Sequence, residues 1–445
     1  MKKYDVFVLG TGTAGKIVAN RCKKAGMKVG IIDNRAYGGT CSQRGCDPKK
    51  LILASSEAAQ MARNMQGDGI TGDVNINWPD AYNYARRYTE SIPEKTEKSL
   101  REAGIDCYLG SGSFIDEKTY VFDDTTIVAE HFIIATGMMT RPLSIPGADF
   151  MLDSADFFEM KDLPEKMVFI GGGYIGMEFS HMMARAGVKV TIIERSNQIL
   201  SPFEKFVADH LLEASVKLGI DIKLNATLSS IEEKDGRYIV HYGQDDTIHQ
   251  ITTDMVYNTT GRIPSVDMLD LGKAGVVTDK GGVIVNDCLQ STTNSRFYAC
   301  GDVSSMNLPL TPLSGLEGTI VGKNIVEGKH PLIPVDIPSV AFTIPQVASI
   351  GLTEAQAKDQ QKKFKVLSAD ASGWFNTRRM NAGTYAYKVL VEEKTGLVLG
   401  AHIVSHEAGE TINLFSVAMN HDITFQHLQQ TMFTYPSWAN DMKSF

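Results

Sequence analysis

The fold is decided by residues 6–33, VFVLGTGTAGKIVANRCKKAGMKVGIID, and by their echo at residues 168–194, VFIGGGYIGMEFSHMMARAGVKVTIIE. In the first stretch Val6 to Leu9 read as a buried strand, Gly10, Gly12 and Gly15 as a Gly-x-Gly-x-x-Gly turn, residues 14–25 as a helix, and Val29 to Ile32 as a second strand ending at Asp33. In the second, Val168 to Ile170 lead into Gly171, Gly173 and Gly176, a helix runs through Ala186, and the strand from Val188 ends at Glu194. The two acids stand at the same distance beyond their first glycines. The spacing has a mechanical reason: the first glycine makes the tight turn, the second lets backbone approach a pyrophosphate, and the third allows close helix-to-strand packing. The helix N-terminus then offers N–H groups and partial positive charge to phosphate, and the acid can accept ribose hydroxyls. Two units in full strand-turn-helix-strand-acid context imply two nucleotides.

Working outward, a chain of 445 residues is too long for one hydrophobic core and suggests roughly three domains. A net charge of -8 and the lack of a long Lys/Arg run favour neither nucleic acid nor an anionic membrane as partner. The opening residues run straight into the first strand and do not look like a secretion signal, and no apolar stretch nears the ~20 residues of a membrane span. A reducing cytoplasm is therefore the expected setting, where closely spaced cysteines are catalytic more often than structural. Between the nucleotide units, residues 75–103 have helical spacing, followed by short strands around Cys107 to Phe114, Val121 and Ile127. Pro/Gly clusters at Arg141-Pro142 and Pro146-Gly147 suggest a domain crossing, and Pro331 and Pro334 a linker. Alternation over 387–391 and 398–404 predicts an antiparallel sheet in a different class of domain.

Cys41 and Cys46 lie shortly after Asp33, in GGTCSQRGCDPKK (residues 38–50). On a regular helix, positions five apart would put their Cα atoms roughly 8 to 9 Å apart, given a rise of ~1.5 Å per residue. A disulfide needs less than about 7 Å. A bridge therefore requires a distorted turn, which Gly45 could permit and Pro48 could help fix. Cys22, Cys107, Cys288 and Cys300 have no partner spacing and read as small buried hydrophobes.

These motifs, with GYIGxE (173–178), ATGxxxRP (135–142) and GDV (301–303) followed by LTP (310–312), resemble the group I pyridine nucleotide-disulfide oxidoreductases over essentially the whole chain. That family includes glutathione reductase, dihydrolipoamide dehydrogenase and mercuric reductase. The resemblance implies an α/β fold with two Rossmann-like domains, for FAD (1–147) and NAD(P)H (148–265), a central domain (266–333) completing the FAD site, and a C-terminal α+β dimerisation domain (334–445). It implies a homodimer with an active site shared between subunits. Gly10, Gly12, Gly15 and Asp33 would hold the ADP half of FAD, with Gly39, Thr40, Gly112, Thr136, Gly137, Arg262, Gly301, Asp302, Leu310 and Thr311 around the rest. Gly171, Gly173, Tyr174, Ile175, Gly176, Glu194, Arg195 and Gly261 would take the nicotinamide coenzyme. Cys46 matches the charge-transfer thiolate, Cys41 the interchange thiol, Lys49 and Glu178 the pair beside the flavin, which Lys49 also contacts, and Tyr174 the gate displaced by the hydride donor.

The chain departs from the family at one place that matters for chemistry. Where thiol reductases of this family carry His-Pro-x-x-x-Glu, with the histidine serving the partner subunit's interchange thiol, this chain has Tyr435, Pro436 and Asn440. A tyrosine, with an unperturbed pKa near 10, is a poor base at neutral pH, though its hydroxyl can donate. Mercuric reductase also has a tyrosine there but adds a C-terminal cysteine pair, and this sequence has no cysteine after Cys300. Asp47 and Arg44 act in opposite senses on the cysteines. No bound metal is expected, since the methionines lack a ligand-like spacing. Glu194 favours NADH by repelling a ribose phosphate, while Arg195 keeps NADPH as the alternative. The expectation is an FAD-dependent NAD(P)H oxidoreductase that reduces a small disulfide or other oxidised sulfur species, with Tyr435 in place of histidine. Reduction of quinones, metal ions or oxygen is the second reading, and a redox-sensing protein with vestigial catalysis the third.

Overall fold

A computed structural model describes residues 1–306 and 308–445. The chain divides into two compact units, one of Met1–Leu51, Tyr82–Arg141 and Arg262–Ile333, the other of Ile52–Ala81, Pro142–Gly261 and Pro334–Phe445.

The first unit begins with the expected motif. Strand β1 (Lys2–Leu9), helix α1 (Thr13–Lys24) and strand β2 (Val29–Asp33) follow one another, and β1 and β2 pair in parallel with Val8 opposite Ile31. The buried side of α1 is Ala14, Gly15, Val18, Ala19 and Cys22, a helical stripe of small residues that brings the helix close to the sheet. Helix α2 (Gly39–Arg44) and the long α3 (Cys46–Asn64) carry the cysteines, and α4 (Trp78–Thr89) and α5 (Ile92–Glu102) resolve the helical stretch into two, with Pro93 in the first turn of the second. Strands β3 (Asp106–Leu109), β4 (Gly112–Asp116), β5 (Thr119–Phe122) and β6 (Thr125–Ile134) complete the sheet in the order β3-β2-β1-β6-β5-β4. β6 changes partner along its length: Thr125 to Val128 pair with β5, while its other end faces a later strand. β7 (Met138–Thr140) follows.

In the second unit, β8 (Lys166–Ile170), α6 (Tyr174–Arg185) and β9 (Lys189–Ile193) repeat the motif, and α7 (Lys205–Lys217) leads to β10 (Asp221–Lys223). An antiparallel meander of β11 (Thr227–Lys234), β12 (Arg237–Gln244) and β13 (Thr247–Thr253) precedes β14 (Met255–Asn258), and the parallel sheet runs β10-β9-β8-β14. This meander was not among the expected strands: β11 and β13 are largely exposed, and only β12 shows the alternation, Tyr238, Val240 and Tyr242, that buries one face.

Back in the first unit, β15 (Arg262–Pro264) pairs antiparallel with β7, β16 (Thr278–Asp279) with β17 (Gly282–Val283), and β18 (Phe297–Ala299) joins β6 in parallel, Phe297 opposite Phe132. Helix α8 (Thr311–Glu327) is the expected small-residue helix. Its composition has a packing reason: a Cβ on Gly318 would lie 2.7 Å from the Ala14 carbonyl oxygen of α1. The last part of the second unit is the antiparallel sheet β19 (Ser339–Ala341), β20 (Gln346–Gly351), β21 (Phe364–Asp370), β22 (Ala386–Glu392) and β23 (Val398–Ser405), in the order β19-β20-β23-β22-β21, packed with the helix at Ala408–Asn420. Cys22, Cys107, Cys288 and Cys300 are all buried, as expected of small hydrophobes.

Candidate active site

The first glycine turn is a cradle with no room for side chains. Gly10 has φ +110° and a Cβ there would lie 2.3 Å from the Ala135 carbonyl oxygen, while one on Gly15 would lie 2.1 Å from that of Gly10. Gly12 caps the N-terminus of α1 and has open space around it, where a phosphate can meet the helix N–H groups. Gly39 closes against it, its Cβ position 2.5 Å from the Gly12 Cα. Asp33 is pinned by residues the sequence did not single out: its Oδ2 accepts from Thr11 N at 2.7 Å and Thr11 Oγ1 at 2.6 Å, and its Oδ1 from Arg35 N at 3.0 Å. A carboxylate has about four lone-pair sites, so one remains for a ribose hydroxyl. Thr11 Oγ1 also accepts from Gly38 N at 3.1 Å, tying the acid to the loop that leads to the cysteines. The residues present therefore fit a dinucleotide such as FAD.

The cysteine turn is broken where the spacing demanded. α2 ends at Arg44 and α3 begins at Cys46, with Gly45 between them at φ −143°, ψ −118°. A side chain cannot be added at Gly45, since its Cβ would meet the Thr40 carbonyl oxygen at 2.9 Å and the Cys41 Cα at 3.2 Å. Cys41 and Cys46 are two thiols, the reduced form of the pair, joined by a hydrogen bond between their side chains. Cys46 Sγ lies 3.8 Å from Thr311 Oγ1, at the start of α8, and the N-terminus of α3 favours negative charge at that sulfur. The bond to Cys46, followed by burial, holds the Cys41 thiol well above the ordinary range, against an opposing pull from Thr311. Asp47 Oδ1 lies 3.9 Å from Cys41 Sγ and its Oδ2 accepts from Tyr88 Oη at 3.4 Å. Lys49 follows on the first turns of α3.

Around this turn, Arg262 Nη1 donates to Asp302 Oδ2 at 3.1 Å and Nη2 to the Met138 carbonyl at 3.0 Å. Thr136 Oγ1 donates to the Ser265 carbonyl at 2.7 Å, and Gly137 has φ +67° with open space where a side chain would stand. Gly301 donates its N–H to Glu317 Oε2 at 2.6 Å, a buried carboxylate that no sequence motif singles out. Leu310 caps α8 ahead of Thr311. Gly112 has a local explanation, since its Cβ would sit 2.2 Å from the Val121 carbonyl oxygen of the paired strand.

The second unit repeats the cradle. Gly171 has φ +105° and its Cβ would lie 2.6 Å from the Thr259 carbonyl oxygen; one on Gly176 would lie 2.1 Å from that of Gly171; Gly173 is open. Glu194 Oε2 accepts from Gly172 N at 2.6 Å, and Oε1 from Ser196 N at 2.7 Å and Ser196 Oγ at 2.8 Å. Arg195 beside it is exposed, and Gly261 has φ +126°. Tyr174 and Ile175 open α6, and the Tyr174 ring packs edge-on to Phe203 with centroids 5.3 Å apart. Burial raises the Tyr174 phenol above its usual value, against a hydrogen bond with Ser339 that lowers it. Glu178 is buried and accepts from Phe342 N at 2.8 Å. Tyr435 is 74% exposed, with its ring near that of Phe375.

Known proteins resemble this chain over nearly its whole length. Residues 4–318 match the profile described as pyridine nucleotide-disulphide oxidoreductase, and residues 337–444 that of its dimerisation domain. The chain is 31% identical to a mercuric reductase of Bacillus cereus, with 99% of this chain and 70% of that protein aligned. It is 30% identical to a glutathione reductase of Yarrowia lipolytica, with 99% and 98% aligned. A solved structure, the Cu(II) complex of the HOCl-induced flavoprotein disulfide reductase RclA from Escherichia coli, superposes with a TM-score of 0.89 at 27% identity, covering 100% of this chain and 99% of that one.

Proposed function

Because the chain belongs to the pyridine nucleotide-disulphide oxidoreductase family, FAD-dependent enzymes that use NAD(P)H, we propose that it delivers electrons from the coenzyme through FAD to Cys41 and Cys46, and from them to a small oxidised-sulfur substrate. The observation that carries this reading is the cysteine turn. Gly45 breaks the helix so that two thiols five positions apart can hydrogen-bond, directly beyond the first glycine cradle.

FAD, when bound, supplies a two-electron relay between nicotinamide and disulfide. The chain's own residues do the rest. Gly10, Gly12, Gly15, Gly39 and Thr40, with Asp33 held by Thr11, bind the ADP half; Gly112, Thr136, Gly137, Arg262, Gly301, Asp302, Leu310 and Thr311 form the remainder of that site. Gly171, Gly173, Ile175, Gly176 and Gly261 receive the coenzyme, and Tyr174 covers its place until it binds. Glu194, already fixed by Gly172 and Ser196, favours NADH, and the exposed Arg195 beside it keeps NADPH as the alternative. Lys49 and Glu178 serve the flavin as a charge pair, and Tyr435 of the partner subunit donates its hydroxyl at the interchange thiol. The same reading divides the chain at residues 147, 265 and 333 and makes it a homodimer through residues 334–445.

One finding favours a second acceptor class: the Escherichia coli relative was solved as a Cu(II) complex, which supports metal-ion reduction as the alternative. Steady-state turnover separates the two. With NADH as donor, hydroxyethyl disulfide should outperform Cu(II) and a soluble quinone, and turnover should vanish in Cys41→Ser. Faster Cu(II) reduction, undiminished in Cys41→Ser, would overturn the oxidised-sulfur reading.

A further inference from the structure

We propose that Asp47 is the acid–base residue of the interchange thiol, taking the proton of Cys41 as that sulfur attacks the substrate and returning it to the leaving sulfur. The inference rests on the reading of Cys41 and Cys46 as the electron-delivering pair, and names the group that does the work expected of the absent histidine.

Asp47 is the second residue of α3, immediately after Cys46, and its carboxylate spans two groups: Cys41 Sγ at 3.9 Å from Oδ1 and Tyr88 Oη at 3.4 Å from Oδ2. Four helices meet at this carboxylate. α2 brings Cys41, α3 brings Cys46 and Asp47, α4 brings Tyr88, and α1 brings Lys16, whose ammonium is disfavoured by burial but supported by Asp47, and by Cys41 when that sulfur is ionised. Asp47 in turn raises the Tyr88 phenol, which therefore stays protonated and donates. Thr311 completes the surroundings of the sulfurs.

The chemistry needs such a group. The hydrogen bond that Cys41 donates to Cys46, with partial burial, keeps Cys41 as a thiol at neutral pH, whereas the thiolate is the nucleophile. Tyr435 and Asn440 provide no base at neutral pH. Moving the Cys41 proton to Asp47 leaves the charge of the cluster unchanged opposite Lys16. The ordinary acidities of a carboxyl and a thiol differ by roughly 4 to 5 units, so the proton moves together with formation of the S–S bond and not ahead of it. With a substrate R–S–S–R′, Cys41 Sγ bonds to the R sulfur, the substrate S–S bond breaks, and R′S⁻ leaves with the proton relayed by Asp47. Cys46, as the thiolate, then attacks Cys41 Sγ, the mixed S–S bond breaks, and RS⁻ departs and takes a proton from solvent. Two electrons have left the dithiol, two thiols have formed, and the Cys41–Cys46 disulfide is reduced again by NAD(P)H through FAD.

The test uses holoenzyme reduced anaerobically by NADH, then reoxidised with hydroxyethyl disulfide across neutral and alkaline pH. Asp47→Asn should slow reoxidation by about 100-fold near neutral pH and recover as the thiol ionises at higher pH. Alkylation of Cys41 by iodoacetamide, read by mass spectrometry, should move the other way, becoming easier once the neighbouring charge is gone. Tyr88→Phe keeps the carboxylate and should lose only a few-fold. An Asp47→Asn enzyme that reoxidises as fast as wild type, or faster, overturns the proposal, since a carboxylate acting only as a charge would retard the thiol. If wild type gives no long-wavelength absorbance band on adding NADH, the two-cysteine reading itself fails; a normal band with unaltered reoxidation in Asp47→Asn sinks the Asp47 role alone.

Discussion

The two glycine cradles are nearly superimposable in what they forbid and differ in what they are attached to. Gly10 and Gly171 each press on a strand-end carbonyl, Gly15 and Gly176 each on the carbonyl of the first glycine, and Gly12 and Gly173 each face open space. Both acids accept an N–H from the residue after the first glycine, Thr11 or Gly172. Beyond the acid they part. Asp33 is tied through Thr11 to Gly38 and so to the cysteine helices, whereas Glu194 is tied to Ser196, ahead of Phe203, which packs on Tyr174. On the proposed reading, binding of an ADP group is a backbone property used twice, and redox chemistry belongs to the segment hung on the first copy.

The comparison breaks most visibly at the first glycines. Gly10→Ala and Gly171→Ala each place a methyl group against backbone, in a conformation that costs on the order of 1–3 kcal/mol for a non-glycine residue before the clash is counted. Gly10→Ala should be purified without its yellow colour and with activity reduced by about 100-fold or more. Gly171→Ala should keep its flavin and show its defect only in the KM for coenzyme. A pair of variants with the same phenotype would end the assignment of different nucleotides to the two cradles.

A smaller effect distinguishes the acids. Removing a charged hydrogen-bond acceptor costs about 1.5–3 kcal/mol, roughly 10- to 100-fold. Glu194→Ala should lower the NADH over NADPH ratio of kcat/KM by about tenfold with flavin content unchanged, while Asp33→Ala should weaken flavin retention and leave that ratio alone. Coenzyme ratios that respond to Asp33 and not to Glu194 would reverse the assignment.

The smallest effect concerns how the second region is anchored. Glu204, the N-cap of α7, shares the buried Lys388 with Glu354 at 2.8 and 2.7 Å. Lys358 and Lys388 hold the Glu354 carboxyl down to about 2 from its ordinary value. A folded carboxyl depressed in this way adds stability above its unfolded pKa of about 4.3, and the contribution is lost as pH falls from there towards 2. Urea unfolding between about pH 5 and 3 should therefore show a shallower acid loss in Glu354→Gln, by about 1 kcal/mol for a partly exposed pair. Equal acid slopes would remove this anchor from the account.

Much of this was legible in the chain itself. The glycine spacing set both cradles, the five-residue separation of the cysteines required the break at Gly45, and the strands at 386–392 and 398–405 lie where alternation put them. What escaped depended on tertiary neighbours. Thr11 reads as filler between two glycines until its hydroxyl is seen to bridge Asp33 and Gly38. Glu317 lies in a helix of small residues and gains meaning from tertiary neighbours such as the Gly301 N–H. In the meander at 227–253 only β12 alternates, at Tyr238, Val240 and Tyr242, while β11 and β13 on either side are mostly exposed and give little of the pattern that marks a half-buried strand.

The central claim is that electrons from the coenzyme reach Cys41 and Cys46. An anaerobic titration of the purified flavoprotein with NADH, followed by absorbance, tests it directly. The account predicts uptake of two electrons with a long-wavelength band that disappears in Cys46→Ser. Simple bleaching of the flavin in wild type, with no such band and no difference from Cys46→Ser, would contradict it.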